Sequence, residues 1–130
     1  MDDTKPWWHE LNQFSFGDSA EMADELAALV VQGIKTGTSW LVSEGQQTFV
    51  GQQHVVLNGA GRPVAVIETT ELRQLPYNEV DAAFAYDSGE EDRSLANWRL
   101  GYQRFYERQG KFAIDMLMYC ERFKLIDVIN

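Results

Sequence analysis

Two stretches of the chain repeat apolar residues at helical spacing, and the segments between them alternate as strands do. Met22, Leu26, Leu29 and Val30 form one stripe. It follows Asp18-Ser19-Ala20-Glu21, which predicts a helix start capped by Asp18 with an acid three residues on. Gly33 sits where a helix ends on a left-handed residue. The second stripe, Leu95, Trp98, Tyr102, Phe105 and Tyr106, belongs to a helix predicted from Asp92 or Ser94 to Gly110. Arg93, Arg104 and Arg108 fall on its opposite face, which predicts a solvated side.

Residues 47–72 have strand character. Gln53-His54-Val55-Val56-Leu57 reads as a strand, Asn58-Gly59-Ala60-Gly61 supplies a turn, and Arg62–Thr70 makes the return strand. Pro63 lies at the start of that strand, where a missing N–H does little harm. Asn78 is placed to cap a short helix through Val80, Ala83 and Phe84, and an acidic loop, residues 87–92, separates it from the long helix. The stretch Asp115–Ile126 alternates in part and predicts one or two closing strands. Short helices with five or six strands in mostly non-βαβ order point to an α+β fold with a small β-barrel or curled sheet.

At 130 residues the chain suits one domain. The hydrophobic share of 45% and the aromatic share of 12% argue against disorder. Residues 1–15, rich in aromatics, are expected to be a leader packed on a domain of residues 16–130.

Charge narrows the partners. The net charge is −9, which opposes binding along a long duplex nucleic acid. It is unevenly spread: residues 1–92 carry four basic and sixteen acidic side chains, and residues 93–130 seven basic and four acidic. The single cysteine, Cys120, excludes an intramolecular disulfide and is expected to be a buried, inert thiol. Without an apolar run of membrane-spanning length or a signal-like N-terminus, the expectation is a cytoplasmic protein with no membrane partner. No spacing of His, Cys, Asp and Glu matches a zinc site, and the Glu90-Glu91-Asp92 cluster has the composition of a solvated loop, so neither a metal nor another cofactor is expected.

The segment Gly33-Ile34-Lys35-Thr36-Gly37-Thr38-Ser39 concentrates one amine and three hydroxyls between two glycines. Glycine permits left-handed backbone and close ligand approach, so this stretch predicts a small polar pocket rather than a regular element. Trp40, just after it, can stack on a flat base or pack beneath the loop. Arg93 and Arg99, near the start of the long helix, can meet a phosphate there.

In sequence order, Phe16-Gly17-Asp18, Gly33–Thr38, Gly61-Arg62-Pro63-Val64 with Ile67–Thr70, Asp92-Arg93-Ser94-Leu95 with Trp98-Arg99 and Phe105, and Cys120–Phe123 resemble the ASCH domain family. The resemblance runs from Phe16 to Val128, and the G-x-K-x-x-T element is the family's hallmark. It implies a PUA-like barrel with flanking helices and a cleft beside the hallmark loop that takes a nucleoside or short RNA. Some family members resemble amidohydrolases that deacetylate N4-acetylcytidine; others resemble ribonucleases or non-catalytic RNA-binding modules. By motif position the amidohydrolase residues are Lys35, Thr38 and Glu68. Beside them, Gly33, Ser39, Trp40, Arg93 and Arg99 are the candidate ligand contacts. Two features depart from the family: Ser88 and Glu91 alter the acidic loop, and Tyr102 stands where relatives have histidine.

Amide hydrolysis needs a nucleophile, a base and oxyanion stabilisation. Thr38 is the implied nucleophile. Lys35 takes a proton only when neutral; charged, it clamps the oxyanion and Glu68 becomes the base. The structural alternative is a Lys35–Glu68 ion pair that merely closes the cleft.

Overall fold

The computed structural model describes residues 5–130. Five strands form one curled sheet in the order β1-β3-β4-β5-β2, a half-barrel with three helices. The strands are β1 (Asn12–Ser15), β2 (Gly37–Leu41), β3 (Gln53–Leu57), β4 (Pro63–Pro76) and β5 (Leu117–Val128). The helices are α1 (Ala20–Val31), α2 (Ala82–Ser88) and α3 (Leu95–Arg108). β1 pairs with β3 in parallel, and every other pairing is antiparallel. This bears out the expected α+β, PUA-like architecture.

β4 and β5 form the spine. They pair from Ala65↔Val128 to Pro76↔Leu117, with register shifts at Val66/Ile67 and Thr69/Glu71. Such shifts bend and twist a strand pair, which is how a sheet this small curls. One core cluster joins the α1 stripe (Leu26, Ala27, Val30) to Phe16, Val56, Ile67 and Phe123. The other gathers Phe84 and Ala85 of α2 and Trp98 and Tyr106 of α3 around Met118 and Cys120. The predicted aromatic stripe of α3 therefore packs as core. Cys120 is fully buried, and burial pushes its thiol up to about 11.

Local signals settle several boundaries differently. The cap of α1 is Ser19, whose hydroxyl accepts from Met22 N, so Asp18 lies one residue outside. Gly33 does terminate the helix at φ +77°. The short second helix starts after Asp81, whose carboxylate accepts from Phe84 N; Asn78 sits in a 3₁₀ turn instead. Residues 117–128 make one long strand rather than two. The second half of the hallmark segment is β2, a regular element, because Thr38, Trp40 and Leu41 pair across to β5.

Near the N-terminus, Asn12–Ser15 adds an edge strand, and Trp7 Nε1 donates to Asp127 Oδ2 at 3.3 Å. Residues 1–4 of the expected leader lie outside the described residues.

Candidate functional site

The curl leaves a recess of about 510 Å³ between the two sheet edges and α3. β2 supplies Thr38 and Trp40 to it, β5 supplies Glu121, and α3 supplies Trp98, Tyr102, Phe105 and Tyr106. Phe14 and Phe16 close the far wall. Aromatic walls with a few convergent polar groups are the usual make-up of a small-molecule site.

The polar floor follows from strand register. Thr38 is directly opposite Glu121 in the β2–β5 pair. Paired residues share a sheet face, so the hydroxyl and the carboxylate both project into the recess. The Thr38 hydroxyl has no hydrogen-bond partner among the described residues. Glu121 is only 5% exposed and receives a 2.7 Å hydrogen bond from Thr69 Oγ1. Burial raises its carboxyl to about 7, against the opposing pull of the Thr69 hydrogen bond and the Lys35 charge.

Lys35 is 1% exposed. Its Nζ donates to Gly37 O at 2.8 Å, Ser88 O at 3.1 Å and Glu90 Oε2 at 2.9 Å. Three acceptors for three N–H groups is the surrounding of an ammonium with no lone pair to offer. The Phe16 ring lies 5.3 Å from Nζ. Among the described residues, Lys35 and Glu121 are the buried members of the Lys/Arg and Asp/Glu types, and both line the recess.

The acidic loop is shaped to reach Lys35. Gly89 adopts φ +75°, and a Cβ there would lie 2.7 Å from Ile34 O and 2.8 Å from Lys35 Cα. Glu91 and Arg93 also take positive φ. The outcome is that Glu90 turns inward to Lys35 while Asp92 Oδ1 accepts from Ser94 N. Among the described residues, no group of three or more His, Cys, Asp or Glu is placed to hold a metal ion.

The structure divides the residues that the sequence singled out. Lys35, Thr38, Ser39 and Trp40 line the recess. Trp40 is anchored by its Nε1 donating to Gly45 O at 2.8 Å, and Ser39 by a 3.8 Å contact from its hydroxyl to Cys120 Sγ. Glu68 does not join them. Strand alternation turns Ile67 and Thr69 inward and Glu68 outward, where Gln53 Nε2 donates to it at 3.1 Å and Lys124 Nζ lies 3.6 Å away. The expected Lys35–Glu68 pair is therefore replaced by Lys35–Glu90. Gly33, Arg93 and Arg99 also lie outside the lining. Gly33 ends α1, and Arg93 braces the hallmark segment by donating to Tyr86 O at 2.9 Å and Ile34 O at 3.2 Å. Arg99 Nη2 approaches Asn78 O at 3.4 Å. Arg104 and Arg108, expected to be simply solvated, are exposed on the lip of the recess.

Glu121 escaped the sequence reading as a site residue. Its signal was a carboxylate between Tyr119 and Phe123 at strand spacing, a charge on a core-facing position. His54 and Thr48 were missed for a plainer reason: nothing local to either residue says that they meet.

The comparisons agree with this geometry. A family model described as the ASCH domain matches residues 12–127. The crystal structure of an ASCH domain from Lactobacillus crispatus JV V101 is 33% identical, with a TM-score of 0.82, covering 88% of this chain and 79% of that one. A protein from Enterococcus faecalis V583 is 34% identical, with a TM-score of 0.79, covering 90% and 77%. An ASCH protein from Zymomonas mobilis, 10% identical at a TM-score of 0.54 and covering 92% and 71%, shares the fold. Among curated proteins none matches. With the half-barrel, the hallmark segment and two close structural relatives in agreement, the chain belongs to the ASCH domain family.

Proposed function

We propose that the recess binds an acylated pyrimidine nucleoside and hydrolyses its exocyclic amide, converting N4-acetylcytidine and water into cytidine and acetate. The observation that carries this reading is the Thr38–Glu121 pair: an unpartnered hydroxyl in register with a buried carboxylate whose proton affinity is set near neutrality.

In this reading Glu121 takes the proton of the Thr38 hydroxyl as Oγ1 attacks the acetyl carbonyl. The same carboxyl then hands that proton to the departing N4 amine, leaving acetyl-Thr38. A water molecule, deprotonated by Glu121, releases acetate and restores the hydroxyl. Lys35 supplies fixed positive charge for the oxyanion. Its N–H toward Glu90 is the one to be shared, because Glu90 is a third exposed while the other two acceptors are backbone carbonyls. Trp40, Trp98 and Tyr102 offer flat surfaces for the heterocycle.

Incubation with N4-acetylcytidine tests this directly. Release of cytidine and acetate above the buffer rate is expected, and none at any pH between 6 and 9 rejects it.

ASCH domains are usually linked to RNA binding, and the exposed Arg104 and Arg108 on the lip favour a second reading as a non-catalytic RNA-binding module. Affinity for short RNA that falls steeply with salt is its mark. A ribonuclease reading has the same groups and no imidazole pair: His54 is in the wall and His9 is not in the lining.

A further inference from the structure

His54 is 4% exposed and takes no part in the proposed hydrolysis steps. Its Nε2 lies 2.8 Å from Thr48 Oγ1, which lies 2.7 Å from Thr69 Oγ1, which lies 2.7 Å from Glu121 Oε2. At the other end, His54 Nδ1 lies 3.0 Å from Asn12 Nδ2. The chain links β1, the 45–52 loop, β3, β4 and β5 through buried groups.

Each hydroxyl has one proton to give. Thr69 gives its proton to the carboxylate, so the Thr48–Thr69 link must be donated by Thr48. Thr48 then has to accept from His54, which requires a proton on Nε2. A neutral ring with Nε2–H has a bare Nδ1, and the Asn12 amide N–H meets it there. Every link therefore points the same way, toward Glu121 Oε2. Among the described residues Oε1 has no hydrogen-bond partner, which leaves it for the recess.

We infer that His54 is a positioning residue: held as the Nε2–H tautomer by Asn12, it polarises the Thr48 and Thr69 hydroxyls toward Glu121, fixing one carboxylate oxygen and leaving the other to act as base. The inference rests on the proposed role of Glu121. Consecutive hydrogen bonds in a dry interior strengthen one another, so a donor at the far end favours the ionised carboxylate. The His54 and Phe14 rings pack edge to face with centroids 5.7 Å apart, and burial lowers the proton affinity of His54, which keeps its ring neutral. No other charged group in the chain of contacts competes; beyond Glu121 the next charge is Lys35.

The test uses ¹⁵N and ¹³C NMR on the intact protein without substrate. The His54 ring nitrogens should report the Nε2–H tautomer above the Glu121 midpoint. The Glu121 carboxyl midpoint should rise by about half a pH unit or more in Thr48→Val and His54→Phe. His54→Gln, whose amide can still donate to Thr48, should return it close to the native value. An Nδ1–H tautomer with Glu121 ionised overturns the inference, and so does an unchanged midpoint in Thr48→Val. Thr48→Val keeps the side-chain shape, so the test survives if His54→Phe does not fold. Because no turnover is read, failure of the deacetylation reading is scored separately, by the wild-type assay with N4-acetylcytidine.

Discussion

Thr38 and Glu121 face each other across β2 and β5, the alcohol free and the acid buried. In the proposed hydrolysis this register, rather than any contiguous motif, sets the nucleophile beside its base. Burial holds the Glu121 carboxyl near 7. A base must be ionised, so kcat/KM for N4-acetylcytidine should climb with pH on a single rising limb with its midpoint near 7. A profile flat from pH 5 to pH 9 contradicts Glu121 as the base.

The same carboxyl makes stability depend on pH. Its proton affinity is raised in the folded state, from 4.5 to about 7, so between those values the folded chain binds the proton and the unfolded chain has lost it. The contribution of Glu121 is fully present below pH 4.5 and is lost as pH rises through 7, with a total change of roughly 3 kcal/mol. Urea unfolding at pH 5 and pH 8 should show wild type losing more stability over that interval than Glu121→Gln. Parallel loss in both proteins contradicts it.

Gly89 and Gly33 make a matched pair of tests. Both have positive φ, but a Cβ at Gly89 would press on the backbone of Ile34 and Lys35, whereas one at Gly33 meets nothing within 4 Å. Gly33→Ala should cost about 1 kcal/mol for the left-handed backbone alone. Gly89→Ala should cost about 2 kcal/mol or more, because the acidic loop must also lift away from Lys35. Equal shifts in urea midpoint would show that the close approach carries no weight.

Lys35→Met should destabilise the fold by about 2–3 kcal/mol, since it leaves the Gly37 and Ser88 carbonyls without their donor. The Glu90 bond adds less to this figure than its length suggests, because Glu90 is a third exposed and can turn to solvent. Removing the Lys35 charge should also raise the Glu121 midpoint, because that charge pulls it down. Carboxyl NMR on the variant checks this, and an unmoved midpoint contradicts the electrostatic link.

The sequence disclosed elements better than convergences. The α1 and α3 stripes, the Gly33 stop and the Gln53–Thr70 hairpin are local patterns, and each forms as its periodicity indicates. Lys35, Thr38, Ser39 and Trp40 were legible because they are contiguous. Glu68 misled because a strand alternates faces: placing it one residue from Thr69 put the side chain on the outer surface. Glu121 and the His54–Thr48–Thr69 chain depend on meetings between segments: Thr48 reaches Thr69 across 21 residues and Thr69 reaches Glu121 across 52, which no local pattern encodes.

The most direct test of the account is the rate of acetate release from N4-acetylcytidine at pH 8 by Glu121→Gln and Glu68→Gln beside wild type. Glu121→Gln should lose roughly 10²–10⁴-fold, and Glu68→Gln should change by no more than about two-fold. Full activity in Glu121→Gln, or a collapse in Glu68→Gln with the fold intact, would contradict it.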